Sequence, residues 1–131
     1  MLDYVGLEAD LGEEERLIRD TAREFVDERA RPDIGDHFQA GTFPTELIAE
    51  MGEMGFYAPN LDGYGLPNVS ETAYGLLMQE LEACASGLQC IASVQGSLVM
   101  YPHPSYALPE PKARWLPALC EGSSVGFFGL T

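Results

Sequence analysis

Apolar side chains recur at intervals of three and four residues in successive stretches of this chain, and glycine, proline and Asn/Asp clusters separate the stretches. Such spacing puts the apolar positions on one side of a helix, so the chain is directed toward several helices sharing one core. Ile18, Ala22, Phe25 and Val26 form the first line, with Arg29 one turn on and Glu13, Glu14 and Glu15 placed where a helix dipole favours anions. A helix is predicted from about Leu11 to Ala30, ended by Arg31-Pro32, because proline lacks a donor and restricts the residue before it.

Pro44 suits the first turn of a second helix, with Leu47, Ile48, Met51 and Met54 as its stripe. Tyr57 to Asn68 is rich in turn residues and reads as a loop. Ser70 is a good N-cap for a third helix, whose apolar face carries Ala73, Leu76, Leu77, Leu81 and Cys84 and whose wet face carries Glu71, Gln79, Glu80 and Glu82. Ser86-Gly87 breaks it. Leu88 to Met100 is small or apolar nearly all round, the pattern of a buried helix. After Pro102 and Pro104, Glu110 to Cys120 reads as a last helix closed by Gly122. Val125 to Leu130 has the composition of a strand.

At 131 residues and 46% hydrophobic content the chain suits one soluble domain. The expected fold is all-α: an up-and-down bundle of five or six helices over residues 1–124. Residues 125–131 are then expected to start a strand of a β domain whose remainder lies beyond this sequence.

Charge narrows the function. Twenty-one acidic residues oppose 7 basic ones, a net charge of −14. Such a surface repels nucleic acid and anionic membranes. Acid-rich, lysine-poor surfaces suit high-salt cytoplasms, where salt screens self-repulsion. Cys84, Cys90 and Cys120 are odd in number and lack CxxC spacing, pointing to reduced thiols, a cytoplasmic setting and no metal site. The start carries neither a basic flank nor an apolar run, so no targeting segment is expected. No nucleophile elbow accompanies His37 or His103, and Gly63-Tyr64-Gly65 lacks the strand and helix that flank a phosphate loop.

Five strings occur in order: Ile18-Arg19-Asp20-Thr21, Glu50-Met51-Gly52-Glu53-Met54-Gly55, Ala73-Tyr74-Gly75-Leu76-Leu77, Ser93-Val94-Gln95 with Ser97-Leu98-Val99-Met100, and Phe128-Gly129-Leu130-Thr131. Together they resemble the amino-terminal helical domain of acyl-CoA dehydrogenases, most nearly the glutaryl-CoA dehydrogenase branch, over about residues 10 to 131.

The resemblance implies an FAD enzyme that removes two hydrogens across the α and β carbons of an acyl-CoA thioester, with electron-transfer flavoprotein as the redox partner. The family's general base is a glutamate of a carboxy-terminal domain, so no catalytic residue is expected here. Glu50, Glu53, Glu80 and Glu82 read as solvated helix faces. Phe128, Gly129, Leu130 and Thr131 match the start of the family's flavin-contacting strand, which continues into Glu-Pro and a Gly-Ser-Asp turn. Flavin binding by these residues alone is expected to be very weak.

The fourth helix resembles the one lining the acyl pocket, with Gln89, Cys90 and Ser93 at matched substrate-contacting positions. Ala92, Ser93, Gly96 and Ser97 suit either a substrate channel or close helix packing. Glutaryl-CoA dehydrogenases carry an arginine where this chain has Gln89, so the expected substrate is a neutral short or medium acyl-CoA. CoA is polyanionic, and few basic groups are available to meet it. A homo-oligomer is compatible with the family, whose tetramer contacts lie largely in the carboxy-terminal domain. Two alternatives stay open: a non-enzymatic helical interaction module, and a fragment of an acyl-CoA oxidase.

Overall fold

The computed structural model describes residues 3–4, 6–102, 106 and 109–129. A 3-10 turn, Leu7–Asp10, leads into helix α1 (Glu13–Phe25). The Glu15 carboxylate accepts the Gly12 N–H at 2.8 Å, and three glutamates in the first turn complement the dipole.

The stop expected at Arg31-Pro32 does not occur. Helical structure runs on through a π-helical segment, Val26–Ala30, into α2 (Arg31–Ala40). Arg31 donates its N–H to the Val26 carbonyl, five residues back, and Ala30 widens to φ −96°. The wide turn shifts the hydrogen-bond ladder, so Pro32 falls in the opening turn of α2, where a missing N–H costs little. Gly41, at φ +66°, ends α2.

α3 (Glu46–Glu53) buries Leu47 and Met51 but leaves Met54 exposed past its end. The loop that follows is partly interior: Phe56, Tyr57 and Ala58 are buried, and Phe56 packs edge-to-face on Phe25 with ring centroids 5.3 Å apart. The Tyr57 hydroxyl donates to the Ile48 carbonyl at 2.8 Å, and burial pushes its pKa up to about 12.

Ser70 caps α4 (Glu71–Cys84) as expected, its hydroxyl oxygen accepting the Ala73 N–H at 3.1 Å. Ala73, Leu77 and Leu81 turn inward against α1, where Ala22, Phe25 and Val26 complete the main seam. Glu80 departs from the wet face expected for it: the residue is 6% exposed and paired with Arg23. Glu50 is half-buried and paired with Arg29, whereas Glu53 and Glu82 are exposed.

α5 (Ser86–Ser93) follows a single extended residue, Ala85, and continues into a second π-helical segment, Val94–Met100. α6 (Pro109–Cys120) packs against that segment through its C-terminal half, with Leu116 and Leu119 buried. Gly122, at φ +70°, closes it. Among the described residues the fold is entirely helical.

Candidate functional site

The strand expected at Val125–Leu130 is absent among the described residues: Val125–Gly129 carries no sheet ladder. A strand needs a partner edge for its backbone groups. Here a side chain supplies the equivalent bonds. Gln95, only 1% exposed, donates through Nε2 to the carbonyls of Leu119 (3.0 Å) and Ser124 (2.9 Å), and its Oε1 accepts the Gly126 N–H at 2.9 Å. Gly126 then passes so close to the preceding helix that a Cβ would lie 2.3 Å from Val99 Cγ1. Beyond it Phe127 is 86% and Phe128 54% exposed, and Gly129 is exposed. Leu130 and Thr131 lie outside the described residues.

α5 and its π continuation have two unlike sides. Leu88, Ala92, Gln95, Gly96 and Met100 face inward, while Cys90, Ser97 and Leu98 are exposed and Gln89 and Ser93 half-buried. The helix expected to be buried all round therefore has one open face. Gln89, Ser93 and Ser97 follow at four-residue steps along it, with Cys90 beside them. The three substrate-contacting candidates, Gln89, Cys90 and Ser93, thus share one surface. The Ser93 hydroxyl turns back to the Cys90 carbonyl at 3.2 Å, and the Ser97 hydroxyl shares a 3.1 Å hydrogen bond with that of Tyr74.

Two readings of the small residues divide between the two sides. Ala92 is fully buried, and a Cβ on Gly96 would lie 3.0 Å from the Ala58 nitrogen, so these two serve packing. Ala58 itself sits at φ +51°, a conformation costing an alanine about 1–2 kcal/mol. Ser93 and Ser97 face outward. A pocket of about 250 Å³ lies at this end of the face, lined by Asn60, Leu61, Gly96, Ser97 and Tyr101.

Along α1 and the start of α2 the arginines are matched by carboxylates. Arg19 pairs with Glu8 and Asp20, Arg23 with Glu80, Arg29 with Glu50 and Arg31 with Asp27. Those carboxylates raise the pKa of each arginine, chiefly through side-chain hydrogen bonds. Arg16 donates to the Glu8 carbonyl at 3.0 Å. A groove of about 920 Å³ beside α1 and α4 holds Asp3, Glu8, Asp10 and Glu15 as well as the paired Arg19 and Arg23. Its four carboxylates outnumber its two arginines, both of which are paired. Burial raises the pKa of the Cys84 and Cys120 thiols.

Sequence reasoning missed the role of Gln95. The available signal was an amide flanked by Val94 and Gly96 in a run of small and apolar positions, which has to find partners if it faces inward.

A family profile described as "Acyl-CoA dehydrogenase, N-terminal domain" matches residues 12–123. Among solved structures, the chain is similar to glutaryl-CoA dehydrogenase from Mycobacterium smegmatis, 45% identical with a TM-score of 0.94 over 98% of this chain and 34% of that one. It is also similar to a Mycobacterium smegmatis glutaryl-CoA dehydrogenase in complex with FADH2, at 41% identity and a TM-score of 0.93 over 96% and 33% of the two chains. The mitochondrial short-chain specific acyl-CoA dehydrogenase of Bos taurus is 29% identical over 126 residues, 93% of this chain and 30% of that protein. The chain spans about a third of the length of these relatives.

Proposed function

Because this chain belongs to the acyl-CoA dehydrogenase N-terminal domain family, we propose that it forms one wall of the acyl pocket of an FAD-dependent acyl-CoA dehydrogenase. The observation that carries this reading is the open face of α5, where Gln89, Cys90 and Ser93 lie together over a helix whose other side is core. Small and neutral side chains there leave room for an acyl chain.

FAD, if bound beside this face, would supply the hydride acceptor. This chain's part is to orient the ring: Phe128 and Gly129 stand exposed beyond the Gln95 contact, so their backbone groups can reach a flavin, with Leu130 and Thr131 next in sequence. Backbone N–H groups and a threonine hydroxyl suit charge developing on a reduced ring. The general base is assigned, as in the family, to a glutamate of a carboxy-terminal domain. Three unpaired thiols fit a reducing compartment.

Gln89 sets the substrate. It offers a hydrogen bond without charge, and four arginines are already committed to carboxylates elsewhere. A distal carboxylate buried here without a cation would cost several kcal/mol, on the order of 3–5. The substrate is therefore a neutral short or medium acyl-CoA. Expressed from its complete reading frame, the protein is expected to copurify with flavin and to oxidise butyryl-CoA faster than glutaryl-CoA. A colourless product, or a preference for glutaryl-CoA, would overturn the proposal. The exposure of Phe127 and Phe128 favours one second reading, a helical module that docks a partner through this segment; a colourless protein that captures such a partner would support it.

A further inference from the structure

We propose that Gln95 is a positioning residue: its buried amide clamps residues 124–126 to the end of α6 and so fixes where Phe128 and Gly129 are presented. This rests on the reading that those two residues meet a flavin.

Three observations converge. First, Gln95 is 1% exposed on a helix whose other inward residues, Leu88, Ala92, Gly96 and Met100, are apolar or glycine. An amide is costly there unless its groups are satisfied. Second, its bonds extend a hold that the backbone begins: the Ser124 N–H reaches the Ala118 carbonyl at 3.0 Å, and Gln95 adds the Ser124 carbonyl and the Gly126 N–H. Leu119 belongs to the last turn of α6, where carbonyls lack intrahelical partners, and Ser124 and Gly126 belong to the departing segment.

Third, the arrangement works in only one orientation. Two carbonyls demand the NH2 group and one N–H demands the oxygen, so rotating the amide by half a turn would oppose like groups at all three contacts. The clamp therefore specifies direction as well as distance. Gly126 adds a steric stop, since its backbone lies against Val99 with no room for a Cβ. Phe128 is only two residues further on, at most about 7 Å of chain, so an error in the clamp reaches it undiminished.

Amide exchange and FAD titration of the 131-residue chain, followed residue by residue by NMR, test this. In Gln95→Met, close in volume but unable to make the three bonds, the Gly126 amide should exchange at least about tenfold faster, while Leu77 and Leu81 keep their protection. Millimolar FAD should shift the Phe128 and Gly129 amides of the natural chain and fail to do so in Q95M. Gln95→Glu retains an acceptor for Gly126 but sets a carboxylate against two carbonyls, and should behave like Q95M. Unchanged Gly126 protection in both variants would overturn the clamp. FAD shifts that persist with Gly126 unprotected would overturn its positioning role. Absence of FAD shifts in the natural chain, with Gly126 freed in Q95M, would instead refute the flavin reading and leave the clamp standing.

Discussion

Arg23 and Glu80, 57 residues apart in sequence, meet in a two-pronged ion pair, Nε to Oε2 at 3.1 Å and Nη2 to Oε1 at 2.8 Å. The pair ties α1 to α4 beside the apolar seam, with Glu80 almost wholly buried and Arg23 partly open to water. Arg23→Met should strand the carboxylate and destabilise the chain by about 2–3 kcal/mol in urea unfolding, the open side of the arginine tempering the full cost of a broken buried pair. Arg23→Met with Glu80→Met should cost less than R23M alone. A double variant less stable than R23M would contradict this account.

A second link joins the beginnings of the same two helices. Ser70 caps α4 and donates its hydroxyl to Glu15 Oε1 at 2.9 Å, while Glu15 Oε2 accepts the Gly12 N–H. These bonds, the Gly12 one foremost, lower the Glu15 pKa, and the Arg29 contact lowers that of Glu50. A carboxylate with a depressed folded pKa contributes stability that is present above its unfolded pKa, about 4.3, and lost as pH falls through the lower folded value. Stability should therefore fall from about pH 5 downward. Ser70→Ala should cost about 1 kcal/mol at neutral pH and raise the Glu15 pKa, measurable by NMR titration.

Much of the helical architecture is legible in the residues themselves. The Ile18, Ala22, Phe25 line, the Ser70 cap and the Gly122 stop each have a local cause, and each is found in the fold. Pro32 misleads because a proline's effect depends on the ladder around it, and the π turn before it is not encoded in apolar spacing. Glu80 misleads because its partner is on another helix. At the site, Gln89, Cys90 and Ser93 came from the family resemblance, and the open face they share was not legible, because a run of small and apolar residues does not say which side of the helix meets the core. Nor were the Gln95 contacts, since Leu119, Ser124 and Gly126 reach it only through tertiary packing.

The Gly126 contact predicts a clash that can be partly relieved. Gly126→Ala should displace the segment and speed exchange of its amides, because the new methyl would meet Val99 Cγ1 at 2.3 Å and Cγ2 at 2.9 Å. Adding Val99→Ala removes both methyls and should restore part of the protection. No recovery in the double variant would place the obstruction elsewhere.

Charge sets a dependence on salt. With a net charge of −14, self-repulsion opposes the folded state and is screened as ionic strength rises. Raising KCl from 0.05 M to 2 M should lift the midpoint of thermal unfolding by about 5–10 °C. A midpoint indifferent to salt would show that the acidic surface is already compensated.

The central claim, that this chain walls the acyl pocket of a flavin dehydrogenase and reads a neutral acyl group through Gln89, is tested most directly by exchange of parts. In the Mycobacterium smegmatis glutaryl-CoA dehydrogenase that it resembles, the matching amino-terminal third can be replaced by this chain. The hybrid should be yellow, its flavin bleached anaerobically by butyryl-CoA in preference to glutaryl-CoA, and Gln89→Arg should move that preference toward glutaryl-CoA by at least about tenfold. A folded hybrid without flavin, or one that still prefers glutaryl-CoA with Gln89 in place, would contradict it.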